Sequence, residues 1–179
     1  MAMKEHTSPT DAELTFADHV GRFYARRYGF PPMVGRVQGY LAVCDPPSQT
    51  ISELADALLA SRSAIAGAVK ILEAMHVVLR SRSAGERVDR VRIDFSTPQS
   101  MGMDITEYEE MRELMQEGLQ VVRDAPIERQ ALLLEMVAFA EFVLEYVSMM
   151  QQEWEARRAE LFASGKLPDT GQHRGRGRS

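Results

Sequence analysis

The hydrophobic repeat changes period at Val77, and that change restricts the fold more than any other feature of the chain. Before it, apolar residues recur every three or four positions: Ile51, Leu54, Ala55 and Leu58, then Ile65, Ala68, Val69, Leu72 and Met75. That spacing builds one face of a helix. After it they alternate. Val77 and Leu79 fall on one side, Val78, Arg80 and Arg82 on the other; beyond Ser83-Ala84-Gly85, Val91 and Ile93 alternate with Arg90 and Arg92. Period two bounded by a turn predicts a β-hairpin, with one apolar and one arginine face.

Further helices flank this segment. Thr10 and Glu13 form a capping box that opens a first helix carrying Leu14, Ala17, Val20, Gly21, Tyr24 and Tyr28, stopped by Gly29 and Pro31-Pro32. A second, Met33 to Cys44, sets Val34, Val37, Leu41 and Cys44 on one face before Asp45-Pro46-Pro47 ends it. Thr50 and Glu53 repeat the capping box for a short helix, Ile51 to Leu59; a longer one follows, from Arg62 or Ser63 to Met75.

Downstream, Asp104 to Val122 carries Tyr108, Met111, Leu114, Met115, Leu119 and Val122 at helical spacing. Asp124 as N-cap and Pro126 as starter introduce a last helix, which repeats Leu132, Met136, Phe139, Val143, Tyr146, Met150 and Trp154 and continues to Gly165. Its length, about 39 residues at 1.5 Å each, spans about 58 Å. A domain this size is narrower, so a partner chain is expected to cover the stripe.

Charge is divided along the chain. Overall, 26 acidic residues oppose 21 Lys and Arg. Yet Ser61 to Arg92 holds seven basic residues against three acidic, while Asp104 to Glu160 holds fourteen acidic against five basic. A basic island on an acidic body is what a polyanion-binding patch looks like, although a solvated charged hairpin has the same composition.

The sequence speaks against several other classes. The single Cys44 excludes an intrachain disulfide and suits a reducing cytoplasm; on an apolar helix face it reads as a small hydrophobe rather than a redox sensor. His6, His19, His76 and His173 lack metal-ligand spacing, and no nucleophile elbow, phosphate loop or HExxH motif occurs, so neither a metal, a cofactor nor catalysis is expected. No membrane-length apolar run or signal segment appears, which places the chain in the cytoplasm. Methionines gather in the C-terminal part (Met101, Met103, Met111, Met115, Met136, Met149, Met150), as packing or as a pliable pocket for a hydrophobic effector. Tyr40, Tyr108, Phe139, Phe142 and Tyr146 are candidates to line such a pocket, but no motif selects among them, so the ligand-binding residues stay unknown.

Helices followed by an arginine-faced hairpin describe a winged helix-turn-helix. The helix from Ser61 to Met75 would enter a DNA major groove, and the wing arginines would meet phosphates or the minor groove. Arg62, Ser63, Ala66, Gly67, Lys70 and Glu73 face outward. All but Glu73 are candidates to contact DNA, with Arg62 the one for a bidentate contact to guanine, and Ser61 and Ser63 could hold a phosphate at the helix start. Thr50, Arg80, Arg82, Arg87, Arg90 and Arg92 complete the expected DNA-binding set.

The stretch "ISELADALLASRSAIAGAVKILEAMHVVLRSRSAGERVDRVRI" resembles the DNA-binding segment of the MarR/GbsR family of bacterial transcriptional regulators. "GERVDRVRI" is similar to that family's wing, in which an acidic residue precedes an arginine for the minor groove; the resemblance gives these roles to Glu86 and Arg87. "GRVQGYLAVCDP" resembles the second helix of the actinobacterial GbsR-like branch. His76 and Leu59 depart from the family's usual turn residues. Polar composition predicts a flexible N-terminus over 1–10 and a disordered tail over 166–179. The resemblance implies a mainly α (α+β) fold: a dimerisation helix over 11–30 that pairs through Leu14, Ala17, Val20 and Tyr24, a winged helix-turn-helix over 31–97 and dimerisation helices over 98–165. It also implies a homodimer on a pseudo-palindromic operator in double-stranded DNA, most simply a ligand-responsive repressor. The alternative from a different class is a winged-helix adaptor that binds proteins and not DNA.

Overall fold

The computed structural model describes residues 8–82 and 88–168. Arg87 and Glu86, most of the N-terminal segment and most of the tail lie outside the described residues. The chain divides into two compact units, Met1–Met101 and Gly102–Ser179.

In the first unit, α1 (Asp11–Tyr28) starts on the expected capping box: the Thr10 hydroxyl accepts from the Glu13 amide, and the Glu13 carboxylate accepts from the Thr10 amide at 2.7 Å. Gly29, at a φ of 70°, closes the helix through a bond from its N–H to the Ala25 carbonyl. Pro32 opens α2 (Pro32–Val43), where a missing N–H costs nothing. The two helices approach backbone to backbone. A Cβ at Gly35 would stand 2.5 Å from the Val20 carbonyl oxygen, and one at Gly39 2.9 Å from the Ala17 Cα.

This seam corrects one expectation. Ala17 and Tyr24 are buried in the core of their own chain, and Leu14 and Val20 pack against it, so the four do not form a free face for a second copy. The apolar side chains that α1 leaves exposed are Phe16, Phe23 and Tyr28.

Next come β1 (Ser48–Thr50), α3 (Ile51–Ala57), α4 (Arg62–Ala74), β2 (Val78–Ser81) and β3 (Arg90–Ile93). Leu54, Leu58, Ile65, Val69, Leu72, Val34 and Val37 interlock as the core, as their helical spacing predicts. Leu59 and His76, one at each end of α4, take left-handed φ values of 50° and 59°. Side chains pay for that geometry, and these are the two turns where the resemblance shows a departure from the usual residue.

The sheet is antiparallel with order β1-β3-β2. Its third strand, β1, was not expected: Ser48-Gln49-Thr50 is too short and polar to show an alternation. The hairpin is there, but its faces differ from the expected ones. Arg80 pairs with Val91 and Val78 with Ile93, so these four share a side, and Val78 and Val91 are fully buried on it. Arg90 and Arg92 take the other side with Leu79. The arginines are therefore split between both faces of the wing. In a run of three apolar residues, Val77 to Leu79, either phase of alternation looks apolar, and the core decides which one turns inward.

The second unit is a helix pair after a short 3-10 turn (Gln99–Met101) that ends the first. α5 (Thr106–Val121) and α6 (Ile127–Ala163) pack closely enough that a Cβ at Gly118 would stand 3.3 Å from Leu133. Pro126 itself holds the N-cap position of α6, so Asp124 does not cap it. At 1.5 Å per residue, the 37 residues of α6 extend about 56 Å. Ala140 is its one fully buried residue, while Leu132, Leu134, Phe139, Phe142, Tyr146 and Met149 are exposed. No helix among the described residues is long and apolar enough to cross a membrane. The fold is a mostly helical winged helix-turn-helix carrying a small antiparallel sheet.

Candidate nucleic-acid interface

The outward face of α4 is open and chemically simple. Arg62, Ser63, Ala64, Ala66, Gly67 and Lys70 are all exposed, while Ile65, Ala68, Val69 and Leu72 anchor the opposite face. Ser61 caps the helix: its hydroxyl accepts from the Ala64 amide at 3.2 Å and lies 3.0 Å from the Ser63 hydroxyl. The amides of Arg62 and Ser63 belong to the set that every helix start leaves without an intrahelical partner. They would suit a phosphate oxygen, with two hydroxyls beside them. A Cβ at Gly67 meets no atom within 4 Å, so the middle of this face is a flat strip of backbone and methyl groups. Among the described residues Arg62 and Lys70 form no ion pair.

The wing arginines stand differently. Arg80 donates from Nε and Nη2 to both carboxylate oxygens of Glu73 on α4, each at 3.0 Å. Arg82 donates to Asp89 across the mouth of the hairpin at 2.8 Å. Arg90 holds both carboxylate oxygens of Glu53 (3.0 and 3.1 Å) and the Ser48 carbonyl at 2.8 Å. Arg92 reaches the Ile93 carbonyl at 3.5 Å and forms no ion pair among the described residues.

The Arg90 cluster explains Thr50 as well. The Thr50 hydroxyl accepts from the Glu53 amide at 3.1 Å, and the Glu53 carboxylate accepts from the Thr50 amide at 2.7 Å, so the cap of α3 and the anchor of β3 are one network. Burial by itself pushes the Glu53 carboxyl up. The Thr50 amide and the Arg90 guanidinium outweigh it, and the group ends below the ordinary glutamate value. Neither Glu53 nor Glu73 was visible as a partner in the sequence, because 37 and 7 positions separate them from their arginines.

Other candidates fall into place by burial. Burial pushes the Cys44 thiol up, and its Sγ donates to the Pro46 carbonyl at 3.3 Å; a protonated, enclosed thiol is a poor nucleophile. Tyr40 is buried in the first unit, so it lines no open pocket there. In the second unit, Tyr108 meets Phe139 edge to face, and Phe142 stacks with Tyr146. Met111, Leu132, Glu135, Met136 and Phe139 line a cavity of about 330 Å³ between α5 and α6.

The chain is similar to known proteins. Residues 97–157 match the family described as MmpR5-like MarR family transcriptional regulators, a match that falls on the helices of the second unit rather than on the wing. The chain is 28% identical over 151 residues to the HTH-type transcriptional regulator MmpR5 of Mycobacterium tuberculosis, spanning 82% of this chain and 89% of that one. A crystal structure of a transcriptional regulator superposes with a TM-score of 0.72 at 27% identity, over 81% of this chain and 99% of the other.

Proposed function

We propose that this chain, a member of the MarR family of winged helix-turn-helix transcriptional regulators, acts as a cytoplasmic homodimeric repressor that a small hydrophobic effector releases from DNA. It is a regulator and not an enzyme. The observation that carries the reading is the outward face of α4, where two cations that form no ion pair among the described residues flank a strip of small residues at a capped helix start. Such a face fits a major groove about 12 Å wide. Arg62, in the first turn, reads a base; Ser61, Ser63 and Lys70 hold phosphates, while Ala66 and Gly67 allow close approach. Arg92 on β3 meets the flanking backbone, and Arg87, by the family resemblance, enters the minor groove.

Two copies would pair through the second unit. Leu132, Phe139, Tyr146 and Met150 of α6 are exposed, Met136, Val143 and Trp154 half-buried, and a single chain leaves this apolar stripe in water. Burying it is worth about 25 cal/mol per Å². Two recognition helices about one helical turn apart then imply a pseudo-palindromic operator. Effector binding at the cavity lined by Met111, Met136 and Phe139 would favour the dimer spacing that misfits the operator. The segment Gly35 to Pro46 supports a place in the GbsR-like branch.

Selection of bound fragments from random duplex DNA, followed by substitution at Arg62, tests the reading. Arg62→Ala should leave the melting temperature unchanged, relax preference at one base position of each half-site, and cost about 1–3 kcal/mol there. A protein that enriches no fragment and shows no salt-dependent duplex binding is not a DNA-binding repressor.

A further inference from the structure

The seam between α4 and the wing carries a residue with a role of its own. Glu73 sits near the C-terminal end of α4 on the half-buried margin of the outward face and takes both donors of Arg80 in a two-point bond. Each side chain is about one-third exposed, 34% for both. An ion pair so placed contributes little to folding. Its electrostatic effect is larger, because it cancels a guanidinium beside the surface that faces DNA. Fork-to-fork pairing also fixes the direction of the arginine, whose planar group would otherwise suit a phosphate equally well.

We propose that Glu73 is a positioning residue that withholds Arg80 from the DNA backbone, lowers sequence-independent binding, and so widens the gap between operator and random DNA. The inference rests on the DNA-binding reading above. Sequence-independent affinity comes from phosphates neutralised, and every phosphate given up lowers it and flattens its salt dependence. A regulator that must find one site among a great many gains selectivity by keeping that number small. Arg80 then serves to tie β2 to α4, and Arg62, Lys70 and Arg92 meet the DNA.

The test measures affinity against salt for the full-length protein on two duplexes, the selected operator and one of scrambled sequence. Glu73→Gln frees Arg80, so the scrambled duplex should bind more tightly and the slope of log affinity against log salt should steepen by about 0.9 per chain. Arg80→Gln alone should leave the slope unchanged, and Glu73→Gln with Arg80→Gln should restore it. Thermal melts of all three variants check that the fold persists, and the double variant separates a charge effect from a loosened wing. A shallower slope for Arg80→Gln alone overturns the proposal, because Arg80 would already be on a phosphate. So does a Glu73→Gln protein with unchanged slope and unchanged affinity for the scrambled duplex. Absence of salt-dependent binding by the unaltered protein would instead overturn the DNA-binding reading and this inference with it.

Discussion

Helix α4 and most of the described wing arginines carry the same kind of charge in opposite states. On α4, Arg62 and Lys70 project from an exposed face and form no ion pair among the described residues. On the wing, Arg80, Arg82 and Arg90 each hold a carboxylate: Glu73, Asp89 and Glu53. The basic island of the sequence is therefore smaller in space than in composition. Two of its three acids, Glu73 and Asp89, neutralise its own arginines, and Glu53 from outside the island neutralises a third. Charge that is counted is not charge that is available. Arg80 ties β2 to α4 and Arg90 ties β3 to α3, while Arg82 pairs within the hairpin.

Breaking the strongest fastener should have the largest effect. Arg90→Ala leaves the partly buried Glu53 carboxylate without its two-point partner and frees the Ser48 carbonyl. A loss of about 2 kcal/mol in thermal or denaturant unfolding is expected, since charged hydrogen bonds contribute about 1.5–3 kcal/mol and partial exposure lowers that figure. The pH dependence has a definite sign. Glu53 titrates below its ordinary value of 4.5 in the folded chain, so its contribution is complete above that value and disappears as pH falls through the lower, folded one. Arg90→Ala should shrink this acid-labile component, and a variant that loses stability as steeply in acid as the unaltered protein would show that the pair is not its source.

A smaller change sharpens the other side of the comparison. Gly67→Ala adds a methyl where no atom lies within 4 Å. The helix should gain about 1 kcal/mol, the usual difference between glycine and alanine in a helix interior. Duplex affinity should nonetheless fall, because the methyl enters the strip that approaches the bases. Rising melting temperature with undiminished affinity would move the contact surface off this face. The smallest effect is expected at the mouth of the hairpin, where Arg82 and Asp89 pair largely in solvent. Arg82→Ala should change stability by no more than about 0.5 kcal/mol in a melt.

The helices behind this contrast are legible in the sequence, whereas the pairing of the arginines is not, for physical reasons. Two capping boxes located the starts of α1 and α3 because Thr10 with Glu13 and Thr50 with Glu53 satisfy backbone donors locally. The inward face of α4 followed from spacing alone. What spacing could not settle was which body an apolar face meets. Ala17 and Tyr24 suit a neighbouring helix of the same chain as well as one of a second copy. The signal that decides it is Gly35 and Gly39 on α2, four residues apart, which allow a backbone-close seam with α1. Likewise, an arginine in the sequence does not announce its partner. Glu53 lies 37 positions from Arg90, and only the register of β1 on β3 brings them together.

The central claim, that α4 presents its cations while the wing spends most of its own on carboxylates, is tested most directly by the salt dependence of operator binding by the unaltered protein. If a dimer uses Arg62, Lys70, Arg87 and Arg92 from each chain, the slope of log affinity against log salt should be no steeper than about −7. A slope near −13, the value expected if Arg80, Arg82 and Arg90 also neutralise phosphates, would contradict the account.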